Sequence, residues 1–253
     1  MPSPSHPPAL ARTHRLSHPL QALHVATALL ALMAHGAARA EPPASCSSDG
    51  QRAPRWLVER FMSADCPGCW TGQPLAAAPR GAVALDWVVP ADTGDDAPMA
   101  AVARREAQQR RDATPLETPE AGPFRQSQNR SEREPTSRHR LRVQHGLALG
   151  GYVGASLRFN AQRGAQGPFT GWLAVVEWLP KGTEGSPVPR QLVRNLLTEP
   201  IAPQPSADWP YQLWRPMNLP EGTQPERMGV VGWVTDAQGR LVALAQARCG
   251  GSR

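Results

Sequence analysis

Four residues of this 253-residue chain have the type and spacing to do chemistry: Cys46, Cys66, Cys69 and Cys249. Cys66-Pro67-Gly68-Cys69 is a CxxC pair. It follows a stretch rich in β-formers, Arg55–Phe61, and opens a segment, Cys66–Ala78, that can start as a helix but is shortened or kinked by Gly72 and Pro74. At a strand-to-helix junction the first sulfur meets unpaired backbone N–H groups and the positive end of the helix, which favours thiolate over thiol. Cys66 is therefore the expected nucleophile. Cys69, one turn later on the same face, is placed to resolve a mixed disulfide. Pro67 has no N–H to donate, which suits an early helical position.

Other readings of the same cysteines stand beside this one. The pair can be a permanently closed structural bridge. A zinc site built on it would have to recruit Cys46, Cys249, His139 or His145 at irregular spacing, and no metal is expected. Four cysteines allow three pairings. Cys46 and Cys249 are best explained as a structural disulfide tying a leader to the final strand. In a chain-entropy account that closure contributes roughly 4–5 kcal/mol. Exchange with Cys66–Cys69 is the alternative. Glu59 shares a strand face with Phe61, and a buried carboxylate behind the CxxC would move protons during exchange. A salt bridge with a neighbouring arginine competes with that role. Trp70 either shields the sulfurs and packs against a substrate, or is a core tryptophan.

Compartment follows from the N-terminus. Arg12 and Arg15 precede an apolar stretch, Leu20–Ala34, and the small-x-small Ala38-Arg39-Ala40, which reads as a signal peptide over 1–40 cleaved after Ala40. The expected location is periplasmic or secreted, with no membrane association after cleavage. Removing 1–40 takes away three of the 27 basic residues and none of the 21 acids, leaving 24 against 21. The basic residues are arginines except Lys181. The cluster Arg125, Arg130, Arg133, Arg138, Arg140 and Arg142 has no interleaved aromatic to stack a base, so a solvated connector is expected and no nucleic-acid partner.

The elements that must position the pair are read as follows. Ala82–Val89 is a near-continuous apolar run suited to a buried strand, Asp92–Asp96 a loop, and Ala97–Asp112 a helix. Strand, helix, strand, helix implies a parallel α/β arrangement. From Thr114 to Arg140 prolines punctuate a polar stretch with little to bury. Beyond it, short strands crowd together, among them Gly171–Leu179 with apolar residues on both faces, and Asp236–Gly239 joins the last two as a hairpin. The expected organisation is a signal peptide (1–40), an extended leader (41–52), an α/β domain (53–122), a polar Arg-rich linker (123–142) and a β-rich C-terminal domain (143–249).

The run Val58-Glu59-Arg60-Phe61-Met62-Ser63-Ala64-Asp65-Cys66-Pro67-Gly68-Cys69 resembles the V-E-L-F-T-S-x-x-C-x-x-C signature of an uncharacterised bacterial family of secreted thioredoxin-like proteins. Val83–Trp87, the Arg104–Arg111 stretch, Val193-Arg194 and Val242–Ala247 are similar to that family's later elements. The resemblance implies an α+β protein: a thioredoxin-like α/β domain, here abbreviated, followed by a small antiparallel β domain. It also implies a cis-proline opposite the CxxC to receive substrate backbone, for which Pro115 and Pro119 are the candidates. Neither is followed by the apolar strand of the family pattern.

Motifs of nucleophilic-serine hydrolases, phosphate-binding loops, zinc proteases and dinucleotide sites are absent from the sequence, and no cofactor is expected. Two functions remain in contention. One is an exported thiol–disulfide oxidoreductase meeting other exported proteins through mixed disulfides. The other is a non-catalytic periplasmic scaffold or binding protein with a structural CxxC.

Overall fold

In the computed structural model, the residues described are 46–72, 78–114, 124–130, 139–162, 164–165, 167–202 and 210–249. The expected signal peptide, the first residues of the leader, Pro115 and Pro119 lie outside them. Eleven strands dominate: β1 (Cys46–Ser47), β2 (Trp56–Ser63), β3 (Ala82–Val89), β4 (Phe124–Arg130), β5 (Arg140–Leu149), β6 (Tyr152–Asn160), β7 (Phe169–Leu179), β8 (Arg190–Ile201), β9 (Tyr211–Asn218), β10 (Met228–Asp236) and β11 (Leu241–Arg248). Among the described residues two short helices stand against them, α1 (Pro67–Thr71) and α2 (Arg105–Asp112). One sheet has the order β1-β5-β6-β9 and the other β11-β10-β7-β8-β3-β2-β4.

This corrects the expected thioredoxin-like α/β domain with an appended β domain. The local unit is as read: β2 and β3 are parallel, in register from Trp56↔Ala82 to Ser63↔Val89. The sheet then continues differently. β4 adds antiparallel to β2, and β3 meets β8, from the far end of the chain, through the single ladder pair Asp86↔Leu192. β7, β10 and β11 extend it with antiparallel pairings. Strands from both sides of the expected linker thus share one mixed sheet, and part of that linker, Phe124–Arg130, is itself a strand. The helix read over Ala97–Asp112 is reduced to a 3-10 turn, Ala100–Val102, and the eight residues of α2.

Strand periodicity explains how the layers meet. Leu173 and Val175 of β7 and Val230 and Val234 of β10 pack with Val143, Val153, Leu157 and Phe159 of the small sheet. The alternate residues Ala174, Val176, Val231 and Trp233 join Leu57, Phe61, Leu85, Trp87 and Ala107 of α2 on the opposite face. β7 is therefore buried on both faces, as its sequence indicates. On the side shared with the small sheet, Met62, Val88, Leu179 and Leu192 pack around Cys69 and Trp70. The Asp236–Gly239 turn forms as read: the Asp236 amide donates to Arg240 O at 3.0 Å, and Gly239 takes a φ of +75° that its missing Cβ permits.

Gly232 sets the spacing of the two sheets. A Cβ there would run into Cγ1 of Val143 and lie 3.3 Å from Cδ1 of Leu157, both on the facing sheet. Gly232→Ala is expected to force the layers apart and destabilise the protein by about 1–3 kcal/mol, the usual cost of overpacking. Urea unfolding followed by tryptophan fluorescence checks this.

Candidate functional site

β2 ends at Ser63, and a chain of turns delivers the CxxC. Ala64 N–H donates to Val89 O (2.8 Å), Cys66 N–H to Ser63 O (3.0 Å) and Cys69 N–H to Cys66 O (2.9 Å). Cys66 is the N-cap of α1, Pro67 its first residue, and Gly72 closes it with a bond to Gly68 O at 2.8 Å. Cys66 and Cys69 are joined as a disulfide with Cα atoms 5.3 Å apart. The two ends are unequal: Cys66 is half-buried between exposed Asp65 and Pro67, whereas Cys69 is 1% exposed. Cys66 is thus the more accessible of the two residues.

With only one turn, α1 contributes little of the dipole expected from the sequence. Fixed charges stand behind it instead. Arg190, 2% exposed, sends Nη2 to Trp70 O (2.7 Å) and Cys69 O (3.4 Å), and its guanidinium lies 4.5 Å above the Trp70 ring. Its Nε donates to Ser186 Oγ at 2.8 Å, and its Nη1 reaches Asp86 Oδ1 at 3.0 Å and Met62 Sδ at 3.7 Å. Asp86 is fully buried. Its Oδ2 accepts the Gln191 N–H at 3.0 Å, and Arg60 Nη1 lies 3.7 Å from Oδ1. Burial pushes the Asp86 carboxyl above its ordinary value, against the pull of Arg60, Arg190 and the Gln191 amide. Burial likewise lowers Arg190, with Asp86 opposing.

The expected proton acceptor, Glu59, is placed elsewhere. It alternates with Arg60 and Met62 and so points to the other face of β2, with Leu57 and Phe61. There it accepts Arg110 Nε (2.8 Å) and Nη2 (2.6 Å) in a buried bidentate pair. The Arg110 guanidinium stacks 4.4 Å from the Trp172 ring. The salt-bridge alternative is the one the geometry forms. Trp70 is a core residue, with its indole N–H donating to Thr183 O at 3.4 Å. Asp86, Arg60 and Arg190 are what the sequence reading missed. An aspartate inside the apolar run Ala82–Val89 was the available signal, because a carboxylate in a buried strand demands a partner.

Cys46 and Cys249 form the expected second disulfide, across 203 residues. His145 lies beside them: it is the ladder partner of Cys46, and its Nε2 is 4.0 Å from Cys249 Sγ. Of the arginine cluster, Arg142 is engaged with Asp49 at 2.7 Å. Among the described residues the cis peptide bond is Gly167–Pro168.

No family model matches the chain, and no curated protein matches it significantly. A solved structure of similar fold is HBP35 of Porphyromonas gingivalis, with 12% identity, a TM-score of 0.51, and coverage of 81% of this chain and 79% of that one. Such low identity speaks for the fold alone. A likeness spanning four-fifths of the chain takes in more than either expected domain, and so agrees with the mostly β architecture over the thioredoxin-like one. Among the described residues no helix is long and apolar enough to cross a membrane.

Two measurements test this electrostatic account. Asp86→Asn removes the buried carboxylate shared by Arg190 and Arg60 and is expected to cost about 3–5 kcal/mol in urea unfolding. Glu199→Gln, which breaks the exposed pair with Arg215 at 3.5 Å, is expected to cost no more than about 1 kcal/mol. Burial also holds His139 and His145 below the ordinary 6.5. Below that pH the unfolded chain binds protons that the folded chain refuses, so their contribution is present above 6.5 and is lost on acidification into the window beneath it. The unfolding midpoint should fall as pH drops through that window, and His139→Gln/His145→Gln should flatten the slope.

Proposed function

We propose that this chain is an exported thiol–disulfide oxidoreductase acting through Cys66 and Cys69 on a mostly β scaffold. One observation carries the reading: Cys66 is reachable while Cys69 is enclosed, with Arg190 gripping the backbone carbonyl of the enclosed cysteine. Thiol exchange needs that asymmetry, since one sulfur must meet substrate and the other must be kept for resolution. In the oxidising direction, a substrate thiolate attacks Cys66 Sγ and Cys69 leaves as thiolate. A second substrate thiol, deprotonated, then attacks the mixed disulfide and expels the Cys66 thiolate. Two electrons pass to the pair, and the substrate leaves as a disulfide. The reducing direction is the same sequence reversed. The positive charge of Arg190 beside the Cys69 carbonyl favours the departing thiolate.

An oxidising compartment is the setting in which two disulfides persist, in keeping with the signal peptide read at residues 1–40. The partners are then other exported proteins, met transiently through mixed disulfides at Cys66.

The test is a redox titration of residues 41–253 against glutathione, with free thiols trapped by alkylation and counted for each cysteine by peptide mass spectrometry. The expected outcome is a reversible Cys66–Cys69 couple in the range of roughly −120 to −270 mV, with Cys66 alkylating faster than Cys69. Cys66→Ser should abolish exchange with a small aromatic disulfide, and Cys69→Ser should leave substrate trapped on Cys66. A pair that stays closed at every glutathione ratio would sink the enzyme reading and leave a scaffold with a structural CxxC.

A further inference from the structure

We propose that Cys46, Cys249 and His145 form a metal site that opens on reduction: once a dithiol cleaves the Cys46–Cys249 bond, the two sulfurs and His145 Nε2 bind one Zn2+ ion. The site is separate from Cys66–Cys69 and does not depend on the function proposed above.

Three strands bring the ligands together. Cys46 lies on β1, directly across the ladder from His145 on β5, and Cys249 follows the last residue of β11. One ligand atom from each falls within 4.8 Å of the others. A structural bridge does not require an imidazole at its side, and a buried imidazole is costly unless its nitrogens are engaged. The engagement here has a direction. His145 Nδ1 is 2.9 Å from Gly146 O, and a carbonyl can only accept, so the proton sits on Nδ1 and the lone pair on Nε2. The lone-pair nitrogen is the one turned to Cys249 Sγ. A ring N–H given to a backbone carbonyl is the outer-shell bond that orients metal-ligating histidines.

The dimensions suit zinc after a modest rearrangement. With Zn–S near 2.3 Å and Zn–N near 2.0–2.1 Å, a tetrahedral ion needs sulfurs about 3.8 Å apart and S···N about 3.5 Å. The His145–Cys249 gap of 4.0 Å must close by roughly half an ångström. The sulfurs must separate, which side-chain rotation can supply on backbones 5.3 Å apart at Cα. Two thiolates and one imidazole leave a fourth position open, and Cys249, the most accessible of the three, provides the way in.

The chemistry balances. The dithiol transfers two electrons and two protons to the Cys46–Cys249 bond and leaves as its own disulfide. Zinc then displaces the two thiol protons without changing oxidation state.

The experiment uses residues 41–253 with Cys66→Ser/Cys69→Ser, reduced by dithiothreitol, desalted without oxygen and titrated with Co2+ as a spectroscopic stand-in for zinc. A thiolate-to-cobalt charge-transfer band saturating at one equivalent, displaced by Zn2+ and absent from the oxidised protein, is expected. His145→Gln and Cys249→Ser should each weaken binding by about 10-fold or more. No saturable band, or a band indifferent to His145→Gln, overturns the proposal. Should reduction unfold the protein, Zn2+ must restore its circular dichroism, and failure to do so is equally fatal. Should the double-serine background not fold, the same titration on the unsubstituted chain decides, because a site at Cys66 and Cys69 would not respond to His145→Gln.

Discussion

The buried carboxylate of Asp86 is the point on which both the fold and the site depend. β3 and β8 register at one ladder pair, so the backbone alone joins the two halves of the seven-stranded sheet weakly. Asp86 completes the seam with its side chain, taking the Gln191 amide on one oxygen and Arg190 on the other. Arg190 then reaches across to the carbonyls of Cys69 and Trp70. A single carboxylate thus links the sheet's centre to the helix that carries the cysteines. Buried ion pairs of this kind add little net stability, because desolvation consumes the Coulombic gain. What they provide is a unique arrangement, since any other register would strand a charge.

The same logic operates on the opposite face of β2. Glu59 and Arg60 are neighbours in sequence, yet a strand sends them to different sides, each to a buried ion pair of its own. Glu59 holds Arg110 and with it the packing of α2, while Arg60 joins the cluster behind the CxxC. Arg110 in turn lies between its carboxylate and the Trp172 and Trp233 rings, where its charge is compensated by the acid and its flat faces by the indoles. Two carboxylates on consecutive, paired strands therefore do different work. One fixes a helix against the sheet, and one fixes the turn that carries the CxxC pair.

What was legible in the sequence were features with a local cause. The CxxC after β2, the parallel β2–β3 pair, the doubly buried β7 and the pairing of Cys46 with Cys249 each follow from spacing within a short stretch or from the ends of the chain. The architecture has a non-local cause. β4, with the sequence Phe-Arg-Gln-Ser-Gln-Asn-Arg, offers no apolar alternation, and among the described residues it stands at the end of the sheet, held by its antiparallel ladder to β2. Nothing in Ala82–Val89 announces that its next neighbour begins at Arg190, about a hundred residues later. A strand–helix–strand–helix run read locally suggests a parallel α/β domain. The helices proved too short to cover both faces, and the second sheet covers much of one of them instead.

The two disulfides differ in what holds their surroundings once the bond opens. Around Cys66 and Cys69 the restraint is independent of the sulfurs: Arg190 keeps the carbonyls of Cys69 and Trp70, and Trp70 stays packed beneath it. Those contacts would hold the loop with that bond open, as the proposed exchange requires. Around Cys46 the restraint is slight, since β1 is two residues long and meets β5 at two ladder positions. When that bond opens, the short strand loses its covalent tie to the end of β11 and keeps its two ladder pairs with β5, beside the bonds that Ser48 and Asp49 make to the same strand. A metal ion shared by Cys46, Cys249 and His145 would rejoin the same three strands through coordination. The histidine beside the second disulfide has a reason to be there in that arrangement, and the first disulfide needs no counterpart because an arginine already holds its helix.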